Sequence, residues 1–123
     1  MKSLILAAGE GVRLRPFTLD RPKCLVEVDG VSLLDRQLAV MRSEGISDIT
    51  LIGGYQSEKL KVKKLKTFVN KDFSQTNMVW SLFCADELLH GDVVVAYGDI
   101  VYSRGILRSL LASRADIAIA IDL

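Results

Sequence analysis

The chain has 123 residues, half of them hydrophobic and a quarter charged, which suits one soluble domain of ordinary size. Sixteen Lys and Arg against fifteen Asp and Glu leave a net charge of +1, so composition offers no argument for nucleic acid or an anionic membrane as partner. No apolar run approaches the ~18 residues of a membrane span, and Cys24 and Cys84, which form no CxxC, suggest no disulfide framework.

The first element is an apolar run over residues 2–8, which breaks into Gly9-Glu10-Gly11. A short apolar run bounded by glycine predicts a strand buried on both faces. It is too short for a signal peptide and lacks a small-residue cleavage site, so the cytoplasm is the expected location and both thiols are expected to be free. A basic loop follows, carrying Arg13, Arg15, Arg21 and Lys23.

Leu33, Leu34, Leu38 and Met41 then repeat at helical spacing, with Ser32 as N-cap and Gly45 as the stop. "DITLIG" at 48–53 reads as a second buried strand. A locally basic helix is predicted over 58–66, with Leu60 and Leu65 turned inward, and a short strand at "TFVN". Helices are predicted over 77–89 and 105–113, and strands over 92–97 and 116–121. His90 ends a helix beside Gly91, where a helix-terminus cation is sufficient explanation. Strands alternating with helices predict an α/β fold, a Rossmann-like, mostly parallel sheet flanked by helices. The chain stops on a predicted strand, which suggests a piece of a longer protein.

In such a sheet, ligands bind beyond the carboxyl ends of the strands. The loop after the first strand lies there. Gly9 and Gly11 let the backbone approach a ligand and turn N–H groups toward anions. Arg13 can grip phosphate oxygens in a fork, and Lys23 adds a point charge. Phosphate is the natural partner. The dinucleotide fingerprint fails because Leu14 stands where its third glycine belongs, and the Walker pattern fails as well. A glycine pair with nearby cations is otherwise a weak signal.

The longer string is more specific. Leu6, Ala7, Ala8, Gly9, Gly11, Arg13, Leu14, Pro16 and Thr18, followed by Pro22, Lys23 and Leu25, resemble the signature L-A-A-G-x-G-x-R-L-x-P-x-T…P-K-x-L. That is the opening of the nucleotidyltransferases that activate sugar phosphates and phosphocholine. The resemblance continues through 45–55 and 93–103. It implies the nucleotidyltransferase fold, with 1–123 as its N-terminal nucleotide-binding part and a C-terminal acceptor-binding part absent.

The resemblance also implies roles. Nucleotide would lie against Leu6, Ala7, Ala8, Gly9 and Gly11. Arg13 would bind the triphosphate, Lys23 the acceptor phosphate and the α-phosphorus, and Asp99 of "YGDI" would be a Mg²⁺ ligand. The reaction implied is transfer of a nucleoside monophosphate from a triphosphate to a phosphorylated acceptor, with release of pyrophosphate. "TNMVWSL" at 76–82 replaces the G-T-A-x-A stretch of many sugar nucleotidyltransferases and resembles the cytidylyltransferase branch. CTP with phosphocholine is therefore the leading substrate pair, and a sugar 1-phosphate with dTTP, UTP or GTP the alternative. An inactive nucleotide-binding fragment and an oligomer formed through an exposed sheet edge are further readings.

Asn77 either caps a helix or turns polar atoms toward a base, with Ser81 one turn on. Gln75 and Tyr55 are further pocket candidates. Trp80 is either core or part of a choline cage.

Overall fold

The computed structural model describes residues 1–123. The opening apolar run forms β1 (Lys2–Ala7), and a two-residue hairpin pair, β2 (Glu27–Val28) and β3 (Val31–Ser32), precedes α1 (Leu33–Ser43). Then come β4 (Asp48–Gly53), β5 (Lys66–Val69), α2 (Met78–Phe83), β6 (Val93–Tyr97) and α3 (Arg104–Leu111).

Four strands make a parallel sheet in the order β5-β4-β1-β6. The first strand is central, which explains its unbroken apolarity: it is covered on both faces. Alternate residues divide between two cores, as the period of a strand demands. Ile5 and Ala7 face a cluster with Leu34, Leu38 and Met41 of α1 and Leu107 of α3. Leu4 faces the other side with Ile52 and Ala85, against the partly buried Leu6, Phe68 and Leu82.

The predicted start and stop of α1 are borne out. The Ser32 hydroxyl accepts from the Asp35 N–H at 3.0 Å, and Gly45 adopts a φ of +83° just past the last turn. The predicted strand "TFVN" is present as β5, shifted by one residue.

Three expectations are corrected. The helix predicted over 58–66 is a tighter 3-10 segment, Ser57–Lys63, bounded by left-handed Gln56 and Lys64. Its lysines crowd one short stretch, and Leu60 alone of its residues is fully buried. The helix predicted over 77–89 ends at Phe83 and resumes as one 3-10 turn, Asp86–Leu88. The break seats Ala85 in the core beside Leu4 and Ile52.

The strand predicted over 116–121 does not form. Ile117, Ile119 and Ile121 are 73–81% exposed, and no neighbouring strand pairs with them. Alternating apolar residues supply a face to bury, but a strand also needs a partner for its backbone.

A candidate nucleotide site at the carboxyl edge of the sheet

The strand register aligns Ala7, Gly53 and Val69, with Tyr97 paired to Leu6, so the loops that follow leave the sheet at one edge. A cleft of about 320 Å³ opens there. Leu6, Ala7, Ala8, Gly9, Gly11, Arg13, Lys23, Asn77, Ser81 and Asp99 all line it. Ten positions singled out from three separated segments thus meet in one place.

The loop after β1 owes its shape to a few contacts. Gly11 has a φ of +64°, and a Cβ there would lie 2.8 Å from Thr18 Cγ2 and 3.1 Å from Lys23 Cβ. Only glycine fits so close a fold of the chain. The buried Thr18 hydroxyl donates to the Gly11 carbonyl at 2.7 Å. The Tyr55 hydroxyl donates in turn to the Thr18 carbonyl at 2.9 Å, and Gln56 Nε2 donates to the Leu19 carbonyl at 2.9 Å. The Tyr55 N–H also donates to the Ala8 carbonyl. Tyr55, a pocket candidate from the sequence, does not line the cleft. It ties the loop down from outside.

The four cations of the loop separate into distinct roles. Arg15 pairs with Glu10 at 3.7 Å and Arg21 with Asp20 at 3.0 Å, and neither lines the cleft. Lys23 Nζ lies 2.6 Å from Asp99 Oδ2 inside it. Arg13 has no carboxylate partner and also lines it. An unpaired guanidinium at the rim of a glycine-rich cleft is a free fork for an anion.

Lys23 opens a 3-10 turn between Pro22 and Cys24, both buried, which fix its stem. Burial among apolar neighbours pushes the Cys24 thiol up to about 12, so it stays protonated and inert.

Asp99 follows β6 by two residues. Gly98 lets that strand run close to β1: its N–H donates to the Leu6 carbonyl at 2.7 Å, and a Cβ would sit 2.9 Å from the same oxygen. Asp99 is the sole carboxylate lining the cleft. No group of three or more His, Cys, Asp or Glu converges anywhere in the chain. One carboxylate beside a cleft that also holds Arg13 and Lys23 fits a Mg²⁺ that would complete its shell with phosphate oxygens and water, rather than a closed protein cage.

On the opposite wall, Asn77 caps α2, its Oδ1 accepting from the N–H groups of Val79 and Trp80 at 3.0 and 3.1 Å. Its amide donors make no hydrogen bond within the chain. Ser81 is buried, and its hydroxyl accepts from Asn70 Nδ2 at 2.9 Å. Asn70 also donates to Thr76 Oγ1 at 2.9 Å, while its Oδ1 accepts from the Asp72 N–H. This buried amide organises the wall and was missed in the sequence; its one signal is an Asn ending an apolar strand.

Gln75, a nucleotide-binding candidate from the sequence, is exposed and lies outside the cleft, which its neighbour Thr76 lines. Trp80 is 56% exposed and lies outside the cleft, so it is not a core residue. The short α2 turns only Ser81 fully inward. His90 lies at the far edge of the sheet, its carbonyl accepting from Lys2 Nζ. No helix is long and apolar enough to cross a membrane.

Comparison with known proteins identifies the family and the fold. The chain is 35% identical over 133 aligned residues to the CTP:phosphoglutamine cytidylyltransferase of Campylobacter jejuni, an alignment covering 99% of this chain and 53% of that protein. It is 38% identical over 99 residues to the choline-phosphate cytidylyltransferase of Streptococcus pneumoniae, covering 77% of this chain and 43% of the relative. The solved structure of a CTP:phosphocholine cytidylyltransferase from Streptococcus pneumoniae superposes with a TM-score of 0.73 at 34% identity, covering 85% of this chain and 49% of that one. The chain thus spans about half the length of the relatives it matches. The family described as the MobA-like NTP transferase domain matches residues 3–122, and the chain belongs to that family.

Proposed function

We propose that the protein is a cytidylyltransferase, transferring CMP from CTP to a small phosphorylated acceptor of the phosphocholine type. An acceptor phosphate oxygen attacks the α-phosphorus, the bond from that phosphorus to the bridging oxygen breaks, and pyrophosphate leaves. No side-chain nucleophile is required. The residues act by alignment and by neutralising charge as it develops.

Arg13 grips the triphosphate and steadies the departing pyrophosphate. Lys23 meets the acceptor phosphate and the charge growing at the α-phosphate. The backbone at Ala8, Gly9 and Gly11 lies against the nucleotide. The free amide donors of Asn77 suit the acceptor edge of a pyrimidine, which cytosine offers at O2 and N3. Asp99 would hold Mg²⁺, which when bound neutralises phosphate oxygens.

The observation that carries this reading is the convergence of unpaired Arg13, Lys23 and Asp99 on one glycine-walled cleft. The test is titration calorimetry with CTP, UTP, dTTP, GTP and ATP, each with Mg²⁺. Selective CTP binding is expected. Preference for another base shifts the reading to activation of a sugar 1-phosphate, and no binding of any nucleotide refutes the site.

A further inference from the structure

The buried face of α1 runs Leu34, Gln37, Leu38 and Met41. Those are the i, i+3, i+4 and i+7 positions of a core-facing stripe, and one of them is a glutamine. Gln37 is 1% exposed, and its Oε1 has no hydrogen-bond partner. An amide in the core with an unpartnered acceptor is costly, and an apolar residue of similar size would avoid the cost. Such local inconsistencies concentrate where function demands them.

What Gln37 does is specific. Its Nε2 donates to the Tyr97 carbonyl at 2.6 Å and to the Ile100 carbonyl at 2.9 Å. Both amide protons are thereby used, one on each side of the Gly98-Asp99 pair. Beyond the Gly98 N–H, which donates to the Leu6 carbonyl, the turn has no other anchor: Asp99 is tied only by its ion pair with Lys23, and the next residues, 100 and 101, are exposed. A single side chain from the helix floor thus brackets the turn that carries the only carboxylate of the cleft.

We propose that Gln37 is a positioning residue that holds Asp99 where it can bind a divalent cation. This rests on the nucleotidyltransferase reading above. Gln37 does not touch the nucleotide. It acts through the two carbonyls that set the direction in which Asp99 leaves the sheet. A turn free to move would spread the carboxylate over several orientations, and most would miss the cation.

The test compares the wild-type full chain with Gln37→Met, which keeps the volume and removes both donors. CTP binding is measured by calorimetry with Mg²⁺ and again in EDTA. Amide hydrogen exchange over residues 98–101 is followed in the same proteins without nucleotide. The expected result is about a tenfold loss of the Mg²⁺-dependent gain in affinity, with metal-free affinity unchanged and faster exchange in the turn. Gln37→Asn, which keeps the amide but shortens its reach, gives a similar loss and serves if the Met variant fails to fold. An unaltered Mg²⁺ gain overturns the proposal. So does an equal loss with and without metal, because that is the mark of a general packing defect. A wild-type chain that binds no nucleotide refutes the proposed function, and the exchange rates then still decide whether Gln37 holds the turn.

Discussion

Lys23 and Asp99 form an ion pair, Nζ to Oδ2 at 2.6 Å, within the cleft, and both remain partly open to solvent. Each has a second task in the proposed reaction, so the pair is a resting arrangement that a bound phosphate and cation would divide between them. Asp99→Asn removes a negative charge from the anion site and releases Lys23. It is expected to raise the affinity for CTP in EDTA and to abolish the gain from Mg²⁺. Calorimetry in the two buffers checks both halves, and a retained Mg²⁺ gain would mean that the cation is held elsewhere.

Gly11→Ala places a methyl group 2.8 Å from Thr18 Cγ2 in a backbone with a φ of +64°. The left-handed conformation alone costs about 1–2 kcal/mol for a residue with a Cβ. The clash adds to it, because Thr18 is buried and cannot swing away. A lower melting temperature together with weaker CTP binding is expected. Unchanged values of both would show that the loop has more room than its contacts indicate.

Tyr55→Phe removes the hydroxyl that donates to the carbonyls of Thr18 and Leu19 at 2.9 and 3.2 Å. A hydrogen bond of this kind contributes about 1 kcal/mol. The ring stays in its edge contact with Phe73, so the fold should persist. The loop should loosen, and trypsin should cut after Arg13 faster than in the wild type, the bonds after Arg15 and Arg21 being protected by Pro16 and Pro22. Equal cleavage rates would sink the idea that Tyr55 restrains the loop.

Glu44 closes α1 and accepts from Arg108 at 3.0 and 3.3 Å and from Arg104, tying α1 to α3. The bonds from Arg108, then the one from Arg104, hold its carboxyl below the usual glutamate value of 4.5. The sign follows from linkage: a depressed acid adds stability that is complete above 4.5 and is lost as pH falls through the lower folded value. Urea midpoints for the wild type and Glu44→Gln should differ at pH 7 and converge as pH falls from 4.5 through the lowered folded value. A gap that persists at low pH would assign the effect to packing.

The four strands of the parallel sheet, the caps at Ser32 and Asn77 and the glycine-bearing loop after β1 were legible in the sequence. Each is written in neighbouring residues, as an apolar run, a capping side chain or a glycine with its spacing. Helix ends were less legible. The break after Phe83 depends on Ala85 finding a place beside Leu4 and Ile52, which no local pattern records.

The sequence by itself determined which residues could bind phosphate and which runs had to be buried. Only the tertiary structure decided how those residues were used. It set Lys23 against Asp99, 76 residues away, and left Arg13 with no acid to pair with. It placed Gln37 beneath a turn about 60 residues further along the chain, and it left the alternating residues 117–121 without a strand to pair with. The physical reason is common to all of these. Short-range patterns encode burial and turn chemistry, whereas contacts between distant residues follow from the strand order β5-β4-β1-β6 and its register.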